Sequence, residues 1–583
     1  MLRRPKLWLS FLEMSVKIYL LSALFLLLFG VLTIKLFYWQ VIKGADLSDE
    51  ARSQYTSSQV TSAPRGNILA SDGSFWVVRT QNWLIWADPK EVGNNSISVA
   101  QKLATFFVDD PNNKQSLFPE TERLQNLLSK SGVSWVPIKQ KVDDGVKRNI
   151  EALKIPGIGF DSEEASYYPE ASSGAQLLGF VGKNETGADV GYFGIEGYYD
   201  LPLSGKPGFV GGQKDALGSP ILLGGTTQVS AIAGVDLQTN IDKRIQGVVE
   251  DELSKGIEKY GASGGSVTVM DPVSGKVMAM ASSPSFDPAK YSEYSDSLFK
   301  NPVISDSFEP GSIFKVLIMA AGLDAGVVTP DTLCDICSGP LKVDKYLIRT
   351  WNDVYHPGIS MTDVIVDSDN VGISFVGQKL GAGKLYDYLN KFGIGTKTGI
   401  DLQGESAPKL RDKGTWNVVD LATASFGQGI AVTGMEMVRA VAAIANGGYL
   451  ITPRVVDSIR GDGWEEKVKS DPPVRIISQQ SAQEMTQMMV EAADRGEAKW
   501  ARIPGFKVAG KTGTAQIPVA GHYDPANTNH SFIGFAPPDN PKFVMLVTLK
   551  SPQSSPWAAE TAAPLWYSIA KDLFPYLGIQ SSQ

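Results

Sequence analysis

The chain has 583 residues with 54 Lys and Arg against 62 Asp and Glu, a formal net charge of −8. That is more chain than one hydrophobic core usually organises, and too acidic for a polyanion such as nucleic acid to be its main partner. Three histidines (His356, His522, His530) and two cysteines (Cys334, Cys337) offer few zinc ligands. Neither HExxH nor a paired CxxC set occurs, so no metal and no other cofactor is expected.

From Ile18 to Ile34 the sequence reads IYLLSALFLLLFGVLTI, without a charge, between Lys17 and Lys35. A run of this length suits one membrane-spanning helix. Arg3, Arg4, Lys6 and Lys17 precede it, so the positive-inside rule puts residues 1–17 in the cytoplasm and everything after about Lys35 outside. KLFYWQVIKG follows where a cleaved signal peptide would carry small residues, and it supplies Tyr38 and Trp39 as interfacial anchors. Outside the cytoplasm a disulfide can persist, and Cys334 and Cys337 in LCDICSG are close enough to pair; a small staple and two independent thiols both fit a lone CxxC.

Residues 35–60 become polar after their first turn and read as a stalk. From PRGNILASDGSFW at Pro64 to about Gly234 the segments are short, with turn signals at Asp72-Gly73, Pro156-Gly157, Pro207-Gly208 and Gly211-Gly212. This predicts an irregular α+β pedestal over 61–234, without a catalytic constellation. The pattern changes near Asp236, where DLQTNIDKRIQGVVEDELSKGIEKYG predicts a short strand and a long amphipathic helix. SVTVMD and KVMAMAS make a hairpin around Pro272–Gly275, and FKVAGKTGTAQI, HSFIGFAPP and KFVMLVTLK read as three late strands. Two early and three late strands around a helix-rich middle predict one α+β domain over 235–583. Its five-stranded antiparallel sheet closes only when both ends meet, and LWYSIAKDLFPYL is a helix laid on it.

FEPGSIFKVLIMAAGL places Ser312 and Lys315 three apart at the start of an apolar helix, on one face and within hydrogen-bond reach. A helix apolar all round is normally buried. Burial disfavours the lysine ammonium, and a second nearby cation would act in the same direction, which makes a base near neutral pH. The helix N-terminus adds positive potential where an oxyanion would form. Ser-x-x-Lys alone is common by chance. Here Ser368-Asp369-Asn370 follows in DVIVDSDNVGISFVG, between helices, and Lys511-Thr512-Gly513-Thr514 comes at the end of the strand FKVAGKTGT. The three together, in that order, are the signature of penicillin-binding proteins and class A β-lactamases.

With these motifs the chain resembles the class B penicillin-binding proteins, monofunctional peptidoglycan D,D-transpeptidases of the bacterial envelope. PRGNILASDG at Pro64, YYPEASSGAQLLGFVG at Tyr167, GYFGIEGYYDLPLSGKPG at Gly191, SVTVMDPVSGKVMAMASSPSFDP at Ser266 and SFGQGIAVT at Ser425 extend the likeness over nearly everything after the membrane helix. GIEGYYD and SDNVG look more like the division and sporulation branch than the elongation branch, although Asp369 departs from the serine expected in many division enzymes. The resemblance implies a dimerisation-type pedestal and a transpeptidase domain. It implies Ser312 as the acylated nucleophile, Lys315 as its base, and Ser368 and Asn370 as proton relay and amide holder. Lys511 would set the electrostatics, and Thr512, Gly513 and Thr514 would form the substrate-binding edge, with the two threonines on the donor carboxylate. The backbone N–H groups of Ser312 and Thr514 would make the oxyanion hole. Implied partners are stem peptides, β-lactams, other cell-wall or divisome proteins, and a multi-spanning glycosyltransferase of the shape, elongation, division and sporulation group. The implied location is the cytoplasmic (inner) membrane.

Other readings make different demands. A bifunctional enzyme would need a glycosyltransferase domain pairing a glutamate with a downstream histidine, and the first histidine here is His356. A class A β-lactamase would need Glu-x-x-Leu-Asn, but Leu389-Asn390 has Tyr386 at the glutamate position. A β-lactam sensor would carry HExxH. A D,D-carboxypeptidase and a scaffold that activates the glycosyltransferase remain compatible with the motifs.

Overall fold

The computed structural model describes residues 7–213, 227–519 and 522–581. Arg3, Arg4 and Lys6, which carry part of the orientation argument, lie outside the described residues. Among those described, residues up to Ala63 and from Lys206 to Ala233 form one compact unit, and Pro64–Gly205 with the chain from Gly234 onward form a second.

In the first unit one helix runs over Leu7–Phe37 and passes through a π-helical turn, Tyr38–Ile42, into the helix Gly44–Tyr55. Val16–Ile42 is apolar enough to cross a membrane. Its side chains are exposed all round, an arrangement stable in a non-aqueous medium. The span exceeds the expected 18–34 because KLFYWQVI continues the helix; at 27 residues it rises about 40 Å. That leaves Lys17 and Lys35 to reach for the headgroups. The expected stalk is partly regular, since Thr56–Thr61 pairs with Gly208–Gln213, which pairs with Thr227–Val229. Gly211-Gly212, read as a turn, thus lies inside a strand, because cross-strand hydrogen bonding there outweighs the low strand propensity of glycine.

The second unit has two large sheets. In the seven-stranded one, Phe75–Ala87 pairs with Val136–Val142 and, along its length, with Ile158–Tyr167. Asp236–Thr239, just past the expected pedestal boundary, pairs in parallel with Ile68–Leu69 and antiparallel with Val456–Gly461. One sheet therefore draws strands from both sides of residue 234.

The five-stranded antiparallel sheet has the expected membership, in the order Val277–Ser283, Gly264–Met270, Phe543–Lys550, His522–Ala536, Ala509–Val519. The nearly continuous apolar run FVMLVTLK is explained by burial on both faces. Val544 and Leu546 pack into the core of the nucleophile helix Lys315–Asp324. Phe543, Met545 and Val547 pack against the helices Lys243–Tyr260 and Ala562–Tyr576. The last helix is pinned as well as packed, with Trp566 Nε1 donating to Met545 O at 2.9 Å. Lys511 to Thr514 fall near the start of Ala509–Val519 rather than at its end, because the strand continues through AQIPV. Cys334 and Cys337, left open by the sequence, are joined as a buried disulfide with Cα atoms 5.6 Å apart.

Candidate active site

Ser312 sits in a single 3-10 turn, Gly311–Phe314, and the α-helix proper begins at Lys315. The sequence places both residues on one helix; Pro310 and the left-handed Gly311 (φ +56°) tighten the entry instead. From Lys315 to Leu323 every residue is buried, and Lys315 has no exposed surface.

Its amine donates to Ser368 O at 2.6 Å, Ser368 Oγ at 3.2 Å and Asn370 Oδ1 at 2.7 Å. A bond to Ser312, expected from the three-residue spacing, is not among them; neutral oxygens of the second motif take the amine. Ser368 turns both its carbonyl and its hydroxyl inward by adopting φ +57°. For a non-glycine residue this costs about 1–2 kcal/mol, a strain typical of functional sites. The next residue, Asp369, caps the helix Asn370–Lys391 by accepting from Val371 N at 2.7 Å and Gly372 N at 3.0 Å. The Asp in the middle of the motif therefore has a local reason, and its charge also opposes deprotonation of Lys315.

Lys511 enters from the sheet, 3% exposed, and its amine donates to Thr512 O at 3.3 Å and Thr512 Oγ1 at 3.2 Å. Burial first, and the Lys511 charge second, push the Lys315 amine down to about 7, against the pull of Asp369 and Glu497. Burial lowers Lys511 too, opposed by Glu497. A second cation acting on the first motif's lysine is the arrangement that the sequence argument required.

The strand and the nucleophile turn approach closely. A Cβ on Gly513 would meet Ser531 Oγ at 2.6 Å and Ile313 Cγ2 at 2.8 Å, so only glycine fits. Gly427, in SFGQG, has φ +78° and accepts Gly311 N on its carbonyl at 3.0 Å, which fixes the other side of the turn.

Ser312, Ser368, Asn370, Thr512 and Thr514 line one cleft of about 380 Å³, with Lys315 and Lys511 buried beneath it and Gly513 packed behind Ile313. All eight sequence-derived site residues are thus gathered from three distant segments. Several further side chains on the wall were missed. Trp351 and Trp557 meet edge-on over the cleft at 5.1 Å, brought in by loops without a motif. Glu497, after the helix Gln479–Arg495, lines the same cleft and accepts the Thr512 hydroxyl at 3.2 Å. Phe426 and Gln428, also on the wall, belong to the SFGQG landmark and were within reach of the sequence. Tyr386 lies beyond the break at Gly381 (φ +74°) in the segment Asn370–Lys391, with its ring against Trp416. Among the described residues no three His, Cys, Asp or Glu side chains gather as a metal site.

The family described as penicillin binding protein transpeptidase domain matches residues 265–573, and the penicillin-binding protein dimerisation domain matches residues 60–239. Stage V sporulation protein D of Bacillus subtilis is 30% identical over 570 residues, spanning 96% of this chain and 86% of the relative. The peptidoglycan D,D-transpeptidase FtsI of Escherichia coli is 28% identical over 570 residues, spanning 96% and 92%. Among solved structures, a peptidoglycan synthetase from Bifidobacterium adolescentis superposes with a TM-score of 0.71 at 27% identity, covering 91% of this chain and 98% of that one. Penicillin binding protein 3 of Mycobacterium tuberculosis, in complex with aztreonam, shares the fold with a TM-score of 0.69 at 24% identity, covering 90% and 98%. With both domains matched and a relative aligned over almost its whole length, the chain belongs to the penicillin-binding protein transpeptidase family.

Proposed function

We propose that the protein is a serine D,D-transpeptidase that cross-links peptidoglycan stem peptides with release of D-alanine, and that penicillins acylate it at Ser312. The observation that carries this reading is the fully buried Lys315, held by Ser368 and Asn370 with its amine near neutrality, directly behind the Ser312 turn. As a free amine Lys315 takes the Ser312 hydroxyl proton while Oγ bonds to the carbonyl carbon of the donor's penultimate D-alanine. The C–N bond to the terminal D-alanine breaks, and the leaving nitrogen takes a proton through Ser368. An amine from a neighbouring strand then attacks the ester, gives up its proton along the same relay and restores Ser312. Asn370 holds the substrate amide, Lys511 attracts the donor carboxylate to the strand edge that carries Thr512 and Thr514, and the Ser312 and Thr514 N–H groups receive the oxyanion.

The apolar helix anchors the chain in the cytoplasmic membrane with its N-terminus inside and the catalytic domain outside. Sugar polymerisation comes from a multi-spanning glycosyltransferase partner, and the work belongs to division or sporulation, the second in keeping with the similarity to stage V sporulation protein D. Ser312→Ala is expected to abolish labelling by fluorescent penicillin while leaving thermal stability close to the parent's. An adduct mapped by mass spectrometry to another serine would refute the assignment. For the partner, replacing residues 17–35 with an unrelated spanning helix should preserve acylation and weaken stimulation of the polymerase; equal stimulation would remove that role from the helix.

A further inference from the structure

Glu497 belongs to none of the three motifs, yet it stands where they converge. Half-buried after the helix Gln479–Arg495, it lines the Ser312 cleft and also a neighbouring cleft of about 210 Å³ that shares Trp351 with the first. Its Oε2 accepts the Thr512 hydroxyl at 3.2 Å, while that hydroxyl oxygen accepts from Lys511 Nζ at 3.2 Å. A threonine hydroxyl has one proton, so donation to Glu497 leaves Thr512 none for an incoming anion. Thr514, two residues on and more exposed, is in the opposite state: its oxygen accepts from Ala558 N at 3.0 Å, which leaves its proton available to the cleft.

We propose that Glu497 is a positioning residue that locks the Thr512 hydroxyl toward itself, passes recognition of the donor's terminal carboxylate to Thr514, and moderates the charge of the two buried lysines. This rests on the acyl-enzyme reading above and adds to it a residue that sets donor affinity and working pH. The charge environment agrees. Lys315 feels Lys511 from the sheet, Asp369 from the cap of the following helix, and Glu497 from its loop. Lys511 feels Glu497. In the adjoining cleft the titratable and charged groups around Glu497 are His356, Asp367, Asp369 and Arg495. A carboxylate at this position favours the ammonium form of both lysines against the burial that disfavours it.

The sign of the effect follows. Acylation needs Lys315 neutral and Lys511 charged, so it rises with pH through the first and falls through the second. Removing the Glu497 charge lowers both, and the whole active window moves to lower pH.

The test uses the full-length protein and the second-order rate of acylation by fluorescent penicillin as a function of pH, with final labelling stoichiometry reporting the folded fraction. Glu497→Gln should move both limbs down by about half a pH unit or more, and Glu497→Asp should retain the parental window. Thr512→Val should cost a larger factor in a Glu497→Leu background than in the parent, because only with no acceptor at position 497 is the hydroxyl proton free to meet the donor. Unmoved limbs, or an equal cost in both backgrounds, would overturn the proposal. So would a longer-lived adduct at unchanged acylation rate, which would assign Glu497 to water activation. Failure of the parent itself to be labelled at Ser312 would instead remove the transpeptidase reading.

Discussion

In the short helix Gly194–Tyr198 of the second unit, Glu196 is completely buried. It receives Arg65 at 2.6 Å and Arg79 at 2.7 Å, while Asp200 meets the far side of the Arg65 guanidinium at 2.6 Å. In the catalytic region Lys315 is just as buried, but its hydrogen bonds end on Ser368 and Asn370, and the charge that acts on it most is another cation, Lys511. Burial pushes the Glu196 carboxyl up, but the Arg79 and Arg65 guanidiniums more than reverse this and hold it below the usual carboxylate range. For Lys315 the burial and the neighbouring charge act together, and the amine comes down to about 7. Burial alone therefore does not decide what a charged group does. Opposite charges at contact distance fix a protonation state and specify a packing arrangement, whereas like charges unlock it for proton transfer.

The largest expected effect tests the unlocked lysine. Lys315→Ala should slow acylation by about 10² to 10⁴, as for loss of a general base. Intact mass spectrometry over time measures this, and acylation at the parental rate would break the comparison. In the parent the acid limb should lie near pH 7, where the amine loses its proton.

Glu196→Gln should do the reverse, acting on stability and leaving chemistry alone. Two guanidiniums would remain buried with their shared anion removed, a loss of about 3–5 kcal/mol in denaturant unfolding. The acylation rate of the folded fraction should stay within about twofold, since Glu196 lies in the short helix Gly194–Tyr198 and does not line the cleft. The folded carboxyl lies below its unfolded value of about 4.3, so its contribution is complete above that pH and disappears as the pH falls through the folded value.

Lys315→Met sharpens the comparison from the other side. With the amine lowered from about 10.5 to about 7, the unfolded chain binds more protons between those values, so this residue makes stability rise with pH there. At pH 7 and below the parent carries the cost of a buried cation beside another. A methionine of similar length should therefore stabilise the protein by about 1–4 kcal/mol at neutral pH. The gain should shrink towards pH 10, and a variant no more stable than the parent at pH 7 would show that Ser368 and Asn370 already compensate the charge.

What the sequence disclosed follows from the range of the interactions. The amphipathic helix Lys243–Tyr260, the two early and three late strands and the buried helix after Ser312 are written in local periodicity, and the structure has each of them. The three motifs could be read because each packs its chemistry into three or four consecutive residues. Pairing partners are not local. Nothing in DLQT says that Asp236–Thr239 joins Ile68–Leu69, roughly 170 residues earlier, and glycines at 211 and 212 mislead where hydrogen bonding to Ser57 and Ser58 decides. Glu497, Trp351 and Trp557 reach the cleft on loops whose course depends on the finished fold. Cys334 and Cys337 were undecidable because a lone pair of thiols at this spacing fits both states.

The smallest effect concerns a third buried titratable group, one with neither an ionic partner nor a like charge. His530, 0% exposed, sits between Thr528 Oγ1 at 2.8 Å on Nε2 and Thr561 Oγ1 at 2.7 Å on Nδ1, in register with Thr514 on the neighbouring strand. Burial governs it and pushes the imidazole down to about 4, against the pull of a hydrogen bond to the Pro556 backbone. An unfolded histidine titrates near 6.5, so between those values the unfolded chain binds a proton that the folded one refuses. Stability should therefore fall as the pH drops from about 6.5 to about 4, by up to about 1.4 kcal/mol per pH unit from this residue alone. His530→Gln retains a donor and an acceptor but does not titrate. It should be less stable than the parent at pH 7, by about 1–2 kcal/mol for an imperfectly met pair of hydrogen bonds, and should flatten the slope below pH 6.5 by about one proton. Denaturant unfolding at a series of pH values measures both quantities. A slope identical in parent and variant would mean that the buried imidazole accepts its proton in place, with Thr528 and Thr561 turning their oxygens to receive it, and would move His530 into the class of Glu196, a charge made tolerable by its partners.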